Sequence, residues 1–207
     1  MAHDLFDPGH PQSVRVREIL IRRSIFDSPD KDRLLQAICG LVNTLQDYGA
    51  YTRQELPAEL MQAYHVDYYD AQVQNGGHAQ FIGNSNWNED IVSDVERGIA
   101  AMQADDYLAR FRSVRARVDA DHALKASAVA SRGFSDLGGG MVGDLNEHDE
   151  RFFSLSRSRS LRDFMQDWLR TLDMVRLVPD REWLGELHSY DHGQSVASGK
   201  TGQFRPW

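Results

Sequence analysis

Two adjacent glycines, Gly76 and Gly77, sit inside an otherwise helix-forming stretch, and they restrict the fold of this chain more than any other feature. From His65 the sequence reads as an amphipathic helix carrying Tyr68, Tyr69 and Val73, with Tyr64 just before it; it breaks at Asn75-Gly76-Gly77 and restarts as a short turn bearing Gln80, Phe81 and Asn84. Glycine lacks a Cβ, so it takes the left-handed conformation that closes a helix and lets a second backbone come close. Asn75 suits the same place, because a short amide satisfies carbonyls that a helix end leaves unpaired. Two readings of the group Asn75, Gly76, Gly77, Gln80 and Asn84 follow. Either the amides serve the helix end and tie it to a neighbour, or they form a polar notch that binds a ligand or a partner peptide.

Around that joint the chain reads as helices linked by short turns. Val14 and Val16 alternate with Arg15 and Arg17 as in a strand, whereas Ile19, Leu20 and Ile21 fit a buried helix; residues 13–26 are read as helix. Ser28-Pro29 is expected to start the next helix, with Leu34, Leu35, Ile38, Leu41, Val42 and Leu45 at helical spacing until Gly49. Pro57 opens the Tyr-rich helix, and Asn88 caps one whose stripe is Ile91, Val92, Val95, Ile99 and Met102. Asp105 is expected to cap a long helix lined by Tyr107, Leu108, Phe111, Val114 and Val118, continuing toward Ser131. Gly138 to Gly143 reads as a loop, a helix near Asp144 carries Phe152 and Phe153, another spans Leu161 to Leu172, and a last one starts at Pro179.

The motif Asn75-Gly76-Gly77-x-x-Gln80-Phe81 with Asn84, and a second block, Leu145-x-x-x-Asp149-x-x-Phe152-Phe153, resemble a bacterial family: the DNA mimic proteins of the nineteen-kilodalton type. The resemblance runs from the helix at Ser28 to the one ending near Thr171. It departs at Gln72, where the family pattern usually has Glu, and at His78, where it has an aromatic residue. The resemblance implies an acidic surface that imitates the phosphate array of duplex DNA and occupies a basic DNA-binding partner. Carboxylates must then stand on one rigid face so that the partner's Lys and Arg make their usual contacts.

Charge is distributed in keeping with that implication. The segment Gln54–Ala109 holds ten acids against Arg97 alone, a local charge of −9, while Arg110–Arg132 carries six bases against Asp119 and Asp121. The candidate partner-binding acids are Asp67, Asp70, Glu89, Asp90, Asp94, Glu96, Asp105 and Asp106. A plainer role is available for each: a solvated helix face or a first-turn acid favoured by the helix dipole. The overall charge of −8 argues against direct nucleic-acid binding, which needs clustered cations.

Catalytic and metal motifs are weak. Gly138 to Gly143 matches G-x-G-x-x-G but lacks the strand a dinucleotide site requires. His188 and His192, with Asp191, have metal-ligand spacing but stand against a Gly- and Ser-rich tail. His65, Asp67 and Asp70 lack the matching Glu-x-x-His helices of a di-iron bundle. No nucleophile motif is seen, and Cys39 reads as core.

The expectation is therefore an all-α protein, a single compact domain of about seven or eight helices over residues 13–188, with a loose N-terminus at 1–12 and an irregular tail at 189–207. It is expected to be cytoplasmic, with a single cysteine and neither a leader nor an apolar run of the ~20 residues a membrane span needs. The expected function is a non-enzymatic protein-binding module with no catalytic residues, cofactor or metal, and a basic partner, with a DNA-binding protein as the candidate. Alternatives are a ligand-binding protein or enzyme at the notch, with His65 and His78 as acid–base groups, and an inhibitor or immunity-type protein. Homodimerisation through Trp168 or Trp183 is a further expectation.

Overall fold

The structure is a computed structural model that describes residues 14–49, 51–131, 133 and 145–191. The expectations for the N-terminus at 1–12, for the glycine-rich segment 138–143, for His192 and for the tail from 192 onward lie outside the described residues. Among the described residues the fold is all-α, with nine helices and one two-stranded sheet.

Strand β1 (Ile19–Arg22) leads directly into the single-turn helix α1 (Arg23–Phe26), which corrects the reading of 13–26 as one helix. The reason is burial on both faces. Ile19, Leu20 and Ile21 are each at most 1% exposed, and a continuous, largely β-branched apolar run covered on both sides is what a parallel strand looks like. Its partner, β2 (Val175–Val178), was not expected from sequence; the two pair in parallel, Ile19 opposite Val175 and Arg22 opposite Val178. The sheet thus joins the two ends of the described chain rather than forming its centre.

Helix α2 (Lys31–Asn43) starts two residues later than Ser28-Pro29 implied. Asp30 is the cap, accepting from the Asp32 N–H, while the Ser28 hydroxyl accepts from the Asp30 N–H. Its apolar stripe is buried, and the last turn widens into a π-turn (Thr44–Tyr48) before Gly49. A capping box between Thr52 and Glu55 shapes the 3₁₀ turn Arg53–Glu55. Helix α3 (Ala58–Asn84) follows Pro57, and Asn88 caps α4 (Glu89–Ala101) through the Asp90 and Ile91 amides, as expected.

Helix α5 (Asp105–Ala120) is preceded by Ala104, so Asp105 is a first-turn acid and not the cap. The helix expected to run to Ser131 is interrupted at Asp121, whose carboxylate accepts from the Ala123 and Leu124 N–H groups and caps α6 (His122–Ala130). After α7 (Asn146–Ser158), a Ser160/Asp163 capping box opens α8 (Leu161–Leu169), and α9 (Trp183–Asp191) closes the described chain.

Helix α3 is the axis of the packing: α2, α4, α6, α7 and α8 all lie against it. At its middle, the Tyr69 ring meets Phe81, Phe111 and Phe152 edge-on, with centroids 5.0, 5.2 and 5.7 Å away. Such edge-to-face pairs add roughly 0.5–1.5 kcal/mol each beyond the area they bury. No helix among the described residues is long and apolar enough to cross a membrane.

Candidate functional site

The break expected at Asn75-Gly76-Gly77 is present. Gly76 has φ −150° and ψ 27°, and Gly77 has φ 71° and ψ −178°, so helical geometry stops there and resumes at His78. Gly77 is glycine for two reasons. Its φ lies where side chains are strained, and a Cβ there would stand 2.2 Å from Asp149 Oδ2. That carboxylate reaches in from α7 and acts as the cap of the resumed helix, its Oδ1 accepting from the His78 N–H at 2.8 Å.

The same oxygen lies 2.5 Å from His78 Nδ1, and His78 Nε2 lies 2.9 Å from the Tyr69 hydroxyl. A carboxylate accepts, so Nδ1 donates to Asp149, and Nε2 shares the second hydrogen bond with the Tyr69 hydroxyl. His78 and Tyr69 are both fully buried. Burial, then the charges of Asp70 and Asp149, push the Tyr69 hydroxyl well above its ordinary value. The two sequence blocks therefore meet through one carboxylate. Beside them, burial, then His78 and Arg110, push His148 below its usual value, and neither His148 Nδ1 nor Arg110 Nε has a hydrogen-bond partner among the described residues.

The amides behave differently from the simplest expectation. Asn75 Nδ2 donates to Gln80 Oε1 (2.9 Å), Gln80 Nε2 donates to Gln72 Oε1 (2.9 Å), and Asn84 Nδ2 donates to that same oxygen (2.7 Å). They bond to one another across the joint, and the tie to a neighbouring helix falls to Asp149. Gln72 accepts twice through its carbonyl. Phe81 is core, with no exposed surface. His65 and His78 serve separate carboxylates, Asp94 on α4 and Asp149 on α7.

The eight candidate acids do not share one environment. Asp94 is 2% exposed and is gripped by Arg53, with Nε 3.0 Å from Oδ2 and Nη2 2.5 Å from Oδ1, and by His65 Nδ1 at 2.8 Å. Burial pushes its carboxyl up, but the hydrogen bonds from His65 and Arg53 outweigh that and hold it below the usual carboxylate range. Glu96 is bound by Arg112 at 2.7 Å and Arg115 at 2.8 Å. Arg115 also holds Glu89 at 2.5 Å, and Arg53 stands 3.6 Å from Asp90.

Asp67 and Asp70 face Arg162 of α8 at 3.1 and 3.3 Å, with Asp70 only 3% exposed. Cys39 Sγ donates to Asp67 Oδ2 at 3.4 Å, and burial together with Asp67 pushes that thiol up to about 12. Asp105 and Asp106 are exposed at the start of α5, with no cationic partner among the described residues. The structure thus brings Asp67 and Asp70 together and places Glu89 and Asp90 at the start of α4. Arg115 and Arg112 of α5 face Glu89 and Glu96 in antiparallel order, so Asp105 and Asp106 lie at the far end, about 20 Å away at 1.5 Å per helical residue.

Trp168 and Trp183 pack partly against the core, and Arg22 lies over the Trp183 ring at 5.9 Å. Among the described residues, no three His, Cys, Asp or Glu side chains are grouped as metal ligands.

Neither the curated proteins nor the solved structures yield a match to this chain. The sequence model of the DMP19-like proteins matches residues 54–172, which hold the glycine joint, the Asp149 block that caps it and the whole acidic stretch. With more than half of its length matched, from the turn after Arg53 to the end of α8, the chain belongs to the DMP19-like protein family, the DNA mimic family that its NGG-x-x-Q-F motif resembles.

Proposed function

We propose that this chain is a cytoplasmic, non-enzymatic protein-binding module whose exposed carboxylates occupy the basic, DNA-binding surface of a partner protein. Four of the eight candidate acids carry this reading: Glu89, Asp90, Asp105 and Asp106. Each is exposed in the first turn of a helix that is packed on the core. That rigidity is the supporting observation, because phosphate imitation needs charges fixed before binding. Asp94 and Asp70 are buried, and Asp67 and Glu96, with side chains only 16% and 22% exposed, are held by arginines; these four belong to the platform and do not face a partner.

The test begins with affinity capture of full-length protein in extract of its native cell. A basic DNA-binding protein should be retained, released as ionic strength rises, and competed off by duplex DNA. Replacing Asp90, Asp105 and Asp106 by Asn should weaken that retention with the fold intact. Retention of the same partner that neither salt nor duplex DNA reduces would overturn the proposal.

A further inference from the structure

Three buried polar atoms without hydrogen-bond partners among the described residues collect at one place: Asp67 Oδ1, Asp70 Oδ1 and Arg162 Nε. They lie where α8 docks onto α2 and α3. Arg162 reaches across to three carboxylates, Asp67 at 3.1 Å, Asp70 at 3.3 Å and Asp32 of α2 at 3.4 Å, and no pair has the two-pronged fit that Arg53 makes with Asp94. Cys39 on α2 donates to the second oxygen of Asp67, and Tyr107 of α5 and Tyr69 on the same helix feel the Asp70 charge. One cation therefore answers three acids: Asp67 Oδ1 has the Arg162 ion pair at 3.1 Å, and Asp70 Oδ1 has no hydrogen-bond partner among the described residues. A carboxylate accepts and never donates, so the unmatched Asp70 oxygen lacks a hydrogen that only a proton on one of the acids would bring.

We infer that Asp67 and Asp70 form a proton-binding site, in which one carboxyl hydrogen on Asp70 removes a buried charge that Arg162 alone does not answer and makes the packing of α8 on α2 and α3 more stable in mild acid. The pair is three residues apart on one helix face, the spacing at which side chains are neighbours. With Asp70 neutral, Arg162 faces two charged acids, Asp67 and the more exposed Asp32, in place of three, and Asp70 gains an O–H donor. Titration points the same way. Burial first, with Asp67 adding to it and Arg162 and the Gln74 amide opposing, brings the Asp70 carboxyl up to about 6.

The experiment uses the full chain. Carbon-13 NMR of the side-chain carboxyls should show Asp70 titrating near 6, and Asp67→Asn should move that midpoint down by removing a repelling charge. Urea unfolding of wild type and Asp70→Asn supplies a second readout. A carboxyl with a raised folded value binds more protons folded than unfolded, so its contribution improves as the pH falls. The ratio of the wild-type to the Asp70→Asn unfolding constant should therefore fall about tenfold from pH 7.5 to pH 5. An Asp70 midpoint in the ordinary carboxylate range, or a ratio that does not change with pH, would overturn the inference.

Discussion

Asp94 and Asp70 are the same side chain, each at most 3% exposed, each answered by one arginine from a distant part of the chain, yet they titrate in opposite directions. Asp94 receives both prongs of Arg53 and a third bond from His65. Asp70 has only one oxygen near Arg162, which it shares with Asp67 and Asp32. Burial penalises both charges; at Asp94 the hydrogen bonds from His65 and Arg53 outweigh it, and at Asp70 Arg162 and the Gln74 amide do not. Position in the chain contributes as well. Arg53 stands on a turn locked by the Thr52–Glu55 capping box, and His65 on the rigid first half of α3, so the Asp94 donors are held in place before the charge arrives.

The largest expected effect comes from breaking the better-made site. Arg53→Ala would leave a buried carboxylate with His65 as its remaining partner, and removing one member of a buried pair costs about 3 kcal/mol or more. Urea unfolding at neutral pH measures it. The pH dependence follows from the lowered folded value: the stability contributed by Asp94 is present above the ordinary carboxylate range and is lost as the pH falls through that lowered value. A loss no larger than that at the Asp70 site would show that donor geometry is not what separates them.

At the looser site the cost should be smaller and should vanish in mild acid. Arg162 is 36% exposed on its side chain, so water screens it, and Arg162→Met is expected to lose about 1–2 kcal/mol at pH 7.5. Without the guanidinium Asp70 rises further and takes its proton sooner, so at pH 5 most of that loss should disappear. Unfolding curves at the two pH values decide it: an Arg162→Met loss that is undiminished at pH 5 would mean Arg162 acts by packing alone.

Local signals carried much of this architecture and few of its pairings. Helix starts at Pro57 and Asn88 and the break at Gly76-Gly77 are legible because each rests on a residue's own backbone chemistry. The β1–β2 pair was not, since Ile19–Arg22 and Val175–Val178 lie some 150 residues apart and each is only four residues long. A run that short has the same apolar pattern in a buried helix. The site shows the same division. Gly77 stood out in sequence, while the carboxylate that forbids its side chain, Asp149, sits in another block with nothing local to mark the pairing. The acids misled for a related reason: the −9 segment looks bare only until Arg53, Arg112, Arg115 and Arg162, all outside it, fold back onto it.

That folding-back sets up the smallest stability effect and the sharpest functional one. Arg115 binds Glu89, Glu96 and Asp119 together at the surface, and these acids are 62%, 22% and 36% exposed on their side chains, against 2% for Asp94. Exposed pairs contribute little, so Arg115→Ala should cost less than about 1 kcal/mol, far below the Arg53 change. It should nevertheless uncover carboxylates at the start of α4 and move the net charge from −8 to −9. Faster association with the captured basic partner, and a steeper dependence on salt, are the expected results. Unchanged binding by a well-folded Arg115→Ala protein would place the interface away from α4 and shift the argument to Asp105 and Asp106. A stability loss as large as that of Arg53→Ala would instead show that this surface network is held together as tightly as the buried Asp94 site.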